Sequence, residues 1–389
     1  MNKVTMDVIE KLSQPRESQV ISIYLPTHRY PSPPHIHENQ TRLKNLLHKA
    51  TEKISEESVT SAGLRKQLKQ LEHQNDEMAF WQTALEGMAI FVDETNVFIY
   101  HLPIECEESV SVAMSHDVAP LMMVMSQNQR FHVLALAMHG SKLYEGDAYG
   151  VEQIKIDLPK SPEDALNIDE MFANSNTKRS HQGGPRGALG VTAPHGEGDS
   201  NAAGSAERLQ YFRIIEQRLH GHKQFNPDLP LLIAATESEA GDFKAVTRIS
   251  STLESFLRGN YTESSAHELF AAAWPIVRKE VIGRRKEALI ERLREYKGIA
   301  QASTSIKEIE RAAEEGRVAT LLVNFIDETN DSISDTSHGP VPIIRALANT
   351  NSDHLKRLMQ AVHRQGGKIV GLNRSLMPGG VTAAALYRY

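Results

Sequence analysis

One stretch, residues 174–204, most limits what this chain can fold into. It holds seven of the 24 glycines: Gly183, Gly184, Gly187, Gly190, Gly196, Gly198 and Gly204. Glycine loses more backbone freedom on ordering than any other residue, so so dense a run does not make a helix or strand interior. A segment of this length without its own periodicity belongs outside a compact core, where such loops usually serve a function or remain disordered. From Met171 to Gly196 it also contains no Asp or Glu, while Lys178, Arg179 and Arg186 are present. The cores must therefore be built from the sequence on either side.

Upstream, Gln19–Leu25 reads as a strand that stops at Pro26. Pro31, Pro33 and Pro34 predict a rigid loop, and Leu43, Leu46, Leu47 and Ala50 predict a helix starting near Glu38 and continuing over 52–80. Gly87–Val92 and Val97–Leu102 predict a hairpin across Asp93-Glu94-Thr95-Asn96. Leu121–Met125 reads as a short apolar strand after Pro120. Phe131–Met138 and Lys142–Tyr144 read as a second hairpin, turning at His139-Gly140-Ser141.

Downstream of the glycine stretch, Ser205 is a candidate cap for a helix whose stripe is Leu209, Phe212, Ile215 and Leu219. A strand at Leu231–Ala235 and a helix over Phe243–Leu257 follow. A long helical stretch then runs from about Ser264 to Lys297. Between Arg278 and Lys297 it carries eight Lys/Arg against four Glu. A helix over Ser305–Glu315 stops at Gly316, and Val318–Val323 is a strand. Ser352 or Asp353 caps a helix striped by Leu355, Leu358, Met359 and Val362 and ended by Gly366. Strands at Ile369–Leu372 and Val381–Tyr389 flank a Met377–Gly380 turn. Strands alternating with helices give an α/β chain. Its 389 residues allow two to three domains, and prolines with composition shifts divide it at 1–119, 120–262 and 263–389.

Charge narrows the function classes. Lys+Arg number 43 and Asp+Glu 49, a net charge of −6. Indiscriminate coating of nucleic acid needs an excess of cations, so it is not expected; a local basic surface is compatible with this balance. The one cysteine, Cys106, excludes a disulfide framework and a cysteine zinc site. No secretory leader pattern and no 18-residue apolar run are present, so the expectation is a cytoplasmic protein without a membrane partner.

Residue types and their spacing bear on several chemistries. His35-x-His37 has the look of a chelate, but no third ligand follows at fixed spacing, so solvated histidines and no metal are expected. Gln182-Gly183-Gly184-Pro185-Arg186-Gly187 is glycine-rich without being a phosphate-binding P-loop, and no cofactor is expected. Cys106 stands among Glu105, Glu107 and Glu108, which disfavour a thiolate nucleophile. Two readings of the glycine stretch stay open: a solvated spacer, or a conformable probe whose lack of acids avoids repulsion from phosphates.

Several segments resemble the bacterial archaeo-eukaryotic release factor family, relatives of the archaeal and eukaryotic class 1 peptide release factor and of Pelota. They are ISIYLPTH ahead of QTRLKNLL, the hairpin FHVLALAMHGSKLYEG, HGEG leading into ERLQYFRIIEQRL, and EEGRVATLLV with the tail GGKIVGLNRSLMPGGVTAAALYRY. Their joint order over nearly the whole chain carries the resemblance. It implies three mixed α/β domains: a family-specific N-terminal domain, an RNase H-like middle domain with a loop reaching the peptidyl transferase centre, and a C-terminal domain like kink-turn-binding ribosomal proteins. In release factors that loop is Gly-Gly-Gln, which positions the hydrolytic water. His195-Gly196-Glu197-Gly198 stands at the matching place, and an ionised Glu197 cannot donate a hydrogen bond as an amide does. With no Gly-Gly-Gln, standard peptide release is not expected.

The resulting expectation is a release-factor-like protein that docks on the ribosome or another structured RNA, tRNA included, in rescue, hibernation or stress. Lys178, Arg179, Gln182, Gly183, Gly184, Arg186, His195, Gly196 and Gly198, with Arg284 and Arg285 on the basic helix, are the candidate RNA contacts. Two alternatives stand beside it. One is a hydrolase of peptidyl-tRNA or RNA with His195 or Glu197 as general base; the other is a non-ribosomal adaptor that binds proteins.

Overall fold

A computed structural model describes residues 3–54, 61–165, 199–327, 343–344, 352–373 and 375–389. The fold is mixed α/β, with three sheets and helices packed on them. It divides into two compact units, one of residues 129–281 and one of residues 1–128 with 282–389.

In the second of these, β1 (Val20–Pro26), β2 (Gly87–Val92), β3 (Val97–Leu102) and β5 (Ser109–Ala113) pair antiparallel in the order β3-β2-β1-β5. The two-residue strand β4 (Glu105–Cys106) joins another sheet of the same unit. β2 is buried at every position, which suits its unbroken apolar sequence. The helix Pro33–Lys53 starts earlier than expected. Its prolines occupy the first turn, where the missing N–H costs nothing because it would have no intrahelical partner. His35 and His37 thus stand in the first two turns of a helix and not in a loop. Leu121–Met125 is likewise no strand but part of a helix, Ala119–Gln127, buried over most of its surface. A short apolar run fits a buried strand and a buried helix equally, and periodicity cannot choose between them.

In the compact unit of residues 129–281, β6 (Phe131–Ala135), β7 (Lys142–Asp147) and β8 (Gly150–Ile154) form an antiparallel meander. β9 (Leu231–Ala235) and β10 (Thr252–Arg258) add parallel strands on the other side of β6, giving the order β10-β9-β6-β7-β8. β6 and β9 are wholly buried. One sheet face packs on Tyr211, Phe212 and Phe243, the other on Leu269, Phe270 and Ala273. The helix expected over Phe243–Leu257 is instead a helix at Glu237–Val246 followed by β10. Thr236 starts it early through a capping box: its hydroxyl accepts from Glu239 N at 3.4 Å, while the Glu239 carboxylate accepts from Thr236 N at 3.1 Å. Capping also begins the helix Ala266–Val277, where Ser265 and Glu268 form the same reciprocal pair. Pro275 lies in its last turn, and a π-helical turn, Arg278–Gly283, follows.

The remaining sheet, in the unit that holds both chain ends, runs β11-β15-β12-β13-β4, with β14 also paired to β12. Its strands are β11 (Ala302–Ser303), β12 (Val318–Asp327), β13 (Ile343–Ile344), β14 (Lys368–Asn373) and β15 (Ala383–Tyr387). The helices Ile306–Glu314 and Ser352–Arg364 end at Gly316 and Gly366, both left-handed at φ +70° and +71°. One core cluster joins the chain's beginning to its end: Tyr24, Phe91 and Met122 share it with Ile309, Leu321 and Met359. Lys356 pairs with Asp117 at 2.6 Å across the same junction.

Candidate nucleic-acid interface

The catalytic candidates His195 and Glu197, and the RNA-contact candidates Lys178, Arg179, Gln182, Gly183, Gly184, Arg186, Gly196 and Gly198, lie outside the described residues. The two ends between which they run are described. The N-terminal stem, Pro159–Ala165, is tied down by backbone: Gly140 N donates to Lys160 O at 3.0 Å, and Lys160 N to the Asp164 carboxylate at 2.9 Å. The C-terminal stem is the helix Asp199–His220, which starts ahead of the expected Ser205 cap. The Tyr211 hydroxyl, fully buried, is within hydrogen-bond distance of Pro159 O at 3.1 Å and Ala137 O at 3.2 Å. One side chain therefore joins both stems and the end of β6.

Charged groups lock the same helix at two further points. The buried Glu216 carboxylate accepts from the Arg248 backbone N–H and, at 3.4 Å, from the Thr247 hydroxyl. Arg208 pairs with Asp242 at 2.5 Å. The described residues that precede and follow 166–198 are thus tied to one another and to the middle sheet.

Arg284 and Arg285 begin the helix Arg284–Lys297 and are exposed. The structure does not treat the cations of this helix alike. Lys286 is buried at 5% exposure, Arg292 lies 4.9 Å over the Tyr296 ring, and Arg294 pairs with Glu291 at 3.1 Å. Arg285 lines an open cavity of about 780 Å³, together with Lys286 and Arg292 from its own helix and with His363 and Lys368 from 80 residues downstream. Arg284 is not among the lining residues. Sequence reasoning missed Lys286, Arg292, His363 and Lys368 as a set. The Arg278–Lys297 charge excess was the signal for the first two; only the fold supplies the others.

Neither of the other chemistries gains support from its surroundings. Burial pushes the Cys106 thiol far above its ordinary range, with Glu105 adding to the effect, so the thiolate nucleophile is disfavoured. His28 stacks on His35 at 4.1 Å and lies within 3.3 Å of Asn39 Oδ1, and burial lowers its pKa. Among the described residues, no group of three or more His, Cys, Asp or Glu is arranged to hold a metal ion. Nor is any described helix long and apolar enough to cross a membrane.

Residues 130–317 match the model of bacterial archaeo-eukaryotic release factor family 3. Among solved structures, the chain is similar to archaeal translation termination factor aRF1, with 13% identity over 99% of this chain and 96% of that one, at a TM-score of 0.23. It is similar to Archaeoglobus fulgidus Pelota, with 11% identity over 100% and 94% and a TM-score of 0.33. A model of ribosome-bound archaeal Pelota and ABCE1 gives 12% identity over 100% and 95%, with a TM-score of 0.39. No curated protein sequence matches.

Proposed function

From a chain that carries bacterial archaeo-eukaryotic release factor family 3 sequence over residues 130–317, we propose a translation factor that acts on the ribosome, in rescue, hibernation or stress, in the cytoplasm. The family match carries this reading. It spans the middle sheet, the glycine stretch and the helix that follows.

The middle-sheet topology supports an RNase H-like reading of that part. A three-stranded antiparallel meander is extended by two parallel strands on its first strand, with helices on both faces. The joined stems support the loop as a probe over the loop as a spacer, because a spacer needs no fixed root. On this reading Lys178, Arg179 and Arg186 meet phosphates of ribosomal RNA or tRNA, and the glycines let the backbone approach closely. With Glu197 where the family loop has glutamine, binding without standard peptide release is the expected activity.

Co-sedimentation tests the association. The protein is expected in the pellet with 70S ribosomes or 50S subunits at low salt. Recovery only in the supernatant, across growth and stress extracts, contradicts the reading. Incubation with peptidyl-tRNA on ribosomes tests the activity: no hydrolysis is expected, and hydrolysis lost in both Glu197→Gln and His195→Ala would replace binding with catalysis.

A further inference from the structure

The open cavity beside the helix Arg284–Lys297 plays no part in that proposal. One wall of it is β14, through Lys368, Ile369 and Val370. Among the described residues β14 pairs only with β12, so its other edge carries no strand. The hydrogen bonds along that edge follow from parity. In a parallel pair each residue turns both its N–H and its C=O to one side, and successive residues alternate. Gly371 turns away from β12: its N–H donates to the Ser126 hydroxyl at 3.2 Å, and its C=O accepts from the Gln127 side-chain amide at 3.2 Å. The helix Ala119–Gln127 thus closes the edge there as a strand would. Two residues earlier, Ile369 turns the same way, to the edge that the cavity borders. Gly367, two before that, gives its N–H to Val362 O at 2.9 Å. Between these two closed points, the Ile369 N–H and C=O have no partner among the described residues.

Side chains alternate along the same strand. Ile369 packs on the cluster that holds Met122, with Met125 beside it, whereas Val370 packs on the opposite face with Leu289. Lys368 shares the face of Val370. Met6 adds an apolar side chain that stays 48% exposed. Arg292, 4.9 Å over the Tyr296 ring, and Lys368 are exposed cations of the lining, and no carboxylate among the described residues joins them.

We propose that this groove docks an extended segment of a partner protein as a short added strand, antiparallel to β14, with an apolar residue opposite Ile369 and an acidic residue directly after it. Antiparallel pairing lets one residue answer both free groups of Ile369, whereas parallel pairing needs two. The residue opposite Ile369 lays its side chain on the Met122 and Met125 side, where unbranched thioethers adapt to varied apolar shapes. The residue after it stands opposite Lys368 and meets a cation. The unanswered backbone pair selects a peptide. A fatty acid offers an acceptor to the Ile369 N–H but no donor to its C=O, and a peptide offers both.

Methyl NMR of the full-length chain, labelled at its methionines, tests this with the peptide acetyl-Ser-Val-Leu-Glu-Ser-amide. Saturable shifts at Met6, Met122 and Met125 are expected, and none at Met88, buried in β2. N-methylation of the leucine removes the N–H that meets Ile369 O and should weaken binding about tenfold; N-methylation of the glutamate, whose N–H faces away from β14, should change it less than about twofold. Lysine in place of the glutamate should weaken binding about fivefold or more, and the exposed double substitution Arg292→Glu/Lys368→Glu should reverse that preference. The proposal is overturned if the three methionine methyls do not respond, if the leucine-methylated peptide binds as the unmodified one does, or if the charge preference survives the double substitution. Sedimentation of the chain alone adds a check: a dimer that the peptide dissociates would assign the groove to a second copy and overturn the proposal too. These measurements contain no ribosomes, so their failure leaves the ribosomal reading untouched and the reverse also holds.

Discussion

The helix Asp199–His220 follows the acid-free stretch Met171–Gly196, the helix Arg284–Lys297 lies within the basic stretch Arg278–Lys297, and the two are built differently. The first buries Tyr211, Phe212, Ile214, Ile215, Glu216 and Leu219, a broad face that fixes it to the middle sheet. The second buries only Lys286, Ile290 and Leu293, one of them a cation. One helix is an anchor in the core of the middle sheet; the other is a surface element that borders a cavity. A local charge excess says that cations are present. The width of the apolar stripe says what they are attached to.

That comparison can be broken or sharpened by substitution. Phe212→Ala removes a fully buried ring from the anchor and should cost about 3–5 kcal/mol, read from urea unfolding. Leu293→Ala on the narrower face should cost less. An equal or greater loss there would contradict the distinction between anchor and border.

A pH titration probes the unit that contains both chain ends through a residue that lies on neither helix. Burial, with Arg16 nearby, lowers the His116 pKa to about 4, partly offset by Asp93. The unfolded chain takes up that proton near the ordinary 6.5, which the folded one refuses. Stability should therefore fall as pH drops from about 6.5 to about 4, and His116 should stop contributing to the slope below that. The loss attributable to His116 is up to about 3 kcal/mol. His116→Gln should flatten this part of the profile; a profile equally steep in the variant would assign the acid sensitivity to other groups.

Smaller effects test the roots of the loop. Tyr211→Phe deprives the Pro159 and Ala137 carbonyls of a buried donor and should cost about 1–2 kcal/mol, with faster proteolysis between residues 166 and 198. Thr236→Ala should cost about 1 kcal/mol through its capping box. Arg294→Ala, which removes an exposed pair with Glu291, should change stability by no more than about 0.5 kcal/mol.

Much of this architecture is legible in residue patterns because the responsible interactions are local. Unbroken apolar runs marked β2 and β9, a run broken only by His132 marked β6, and Gly316 and Gly366 marked helix ends that do adopt left-handed backbone. Prolines misled at Pro33, where the first turn of a helix tolerates them, and length misled at Leu121–Met125. The strand β10 escaped notice because the capping box at Thr236 moved the helix forward and left Thr252–Arg258 to pair with β9. The cavity could not be read from sequence: His363 and Lys368 reach Arg285 only because β14 pairs with β12 and the chain's beginning and end share a core. The glycine stretch drew attention by composition, but what roots it, Tyr211 against Pro159 and Ala137, depends on contacts 52 and 74 residues apart.

The proposed ribosome association rests mainly on residues 174–204, with Arg284 and Arg285 adding to it. Co-sedimentation with 70S ribosomes at one fixed low salt concentration tests it most directly, comparing the parent with Lys178→Ala/Arg179→Ala/Arg186→Ala and with Arg284→Glu/Arg285→Glu. The account predicts that the parent pellets, that the triple loop variant is largely lost to the supernatant, and that the helix variant falls between them. A loop variant that pellets as fully as the parent would contradict it.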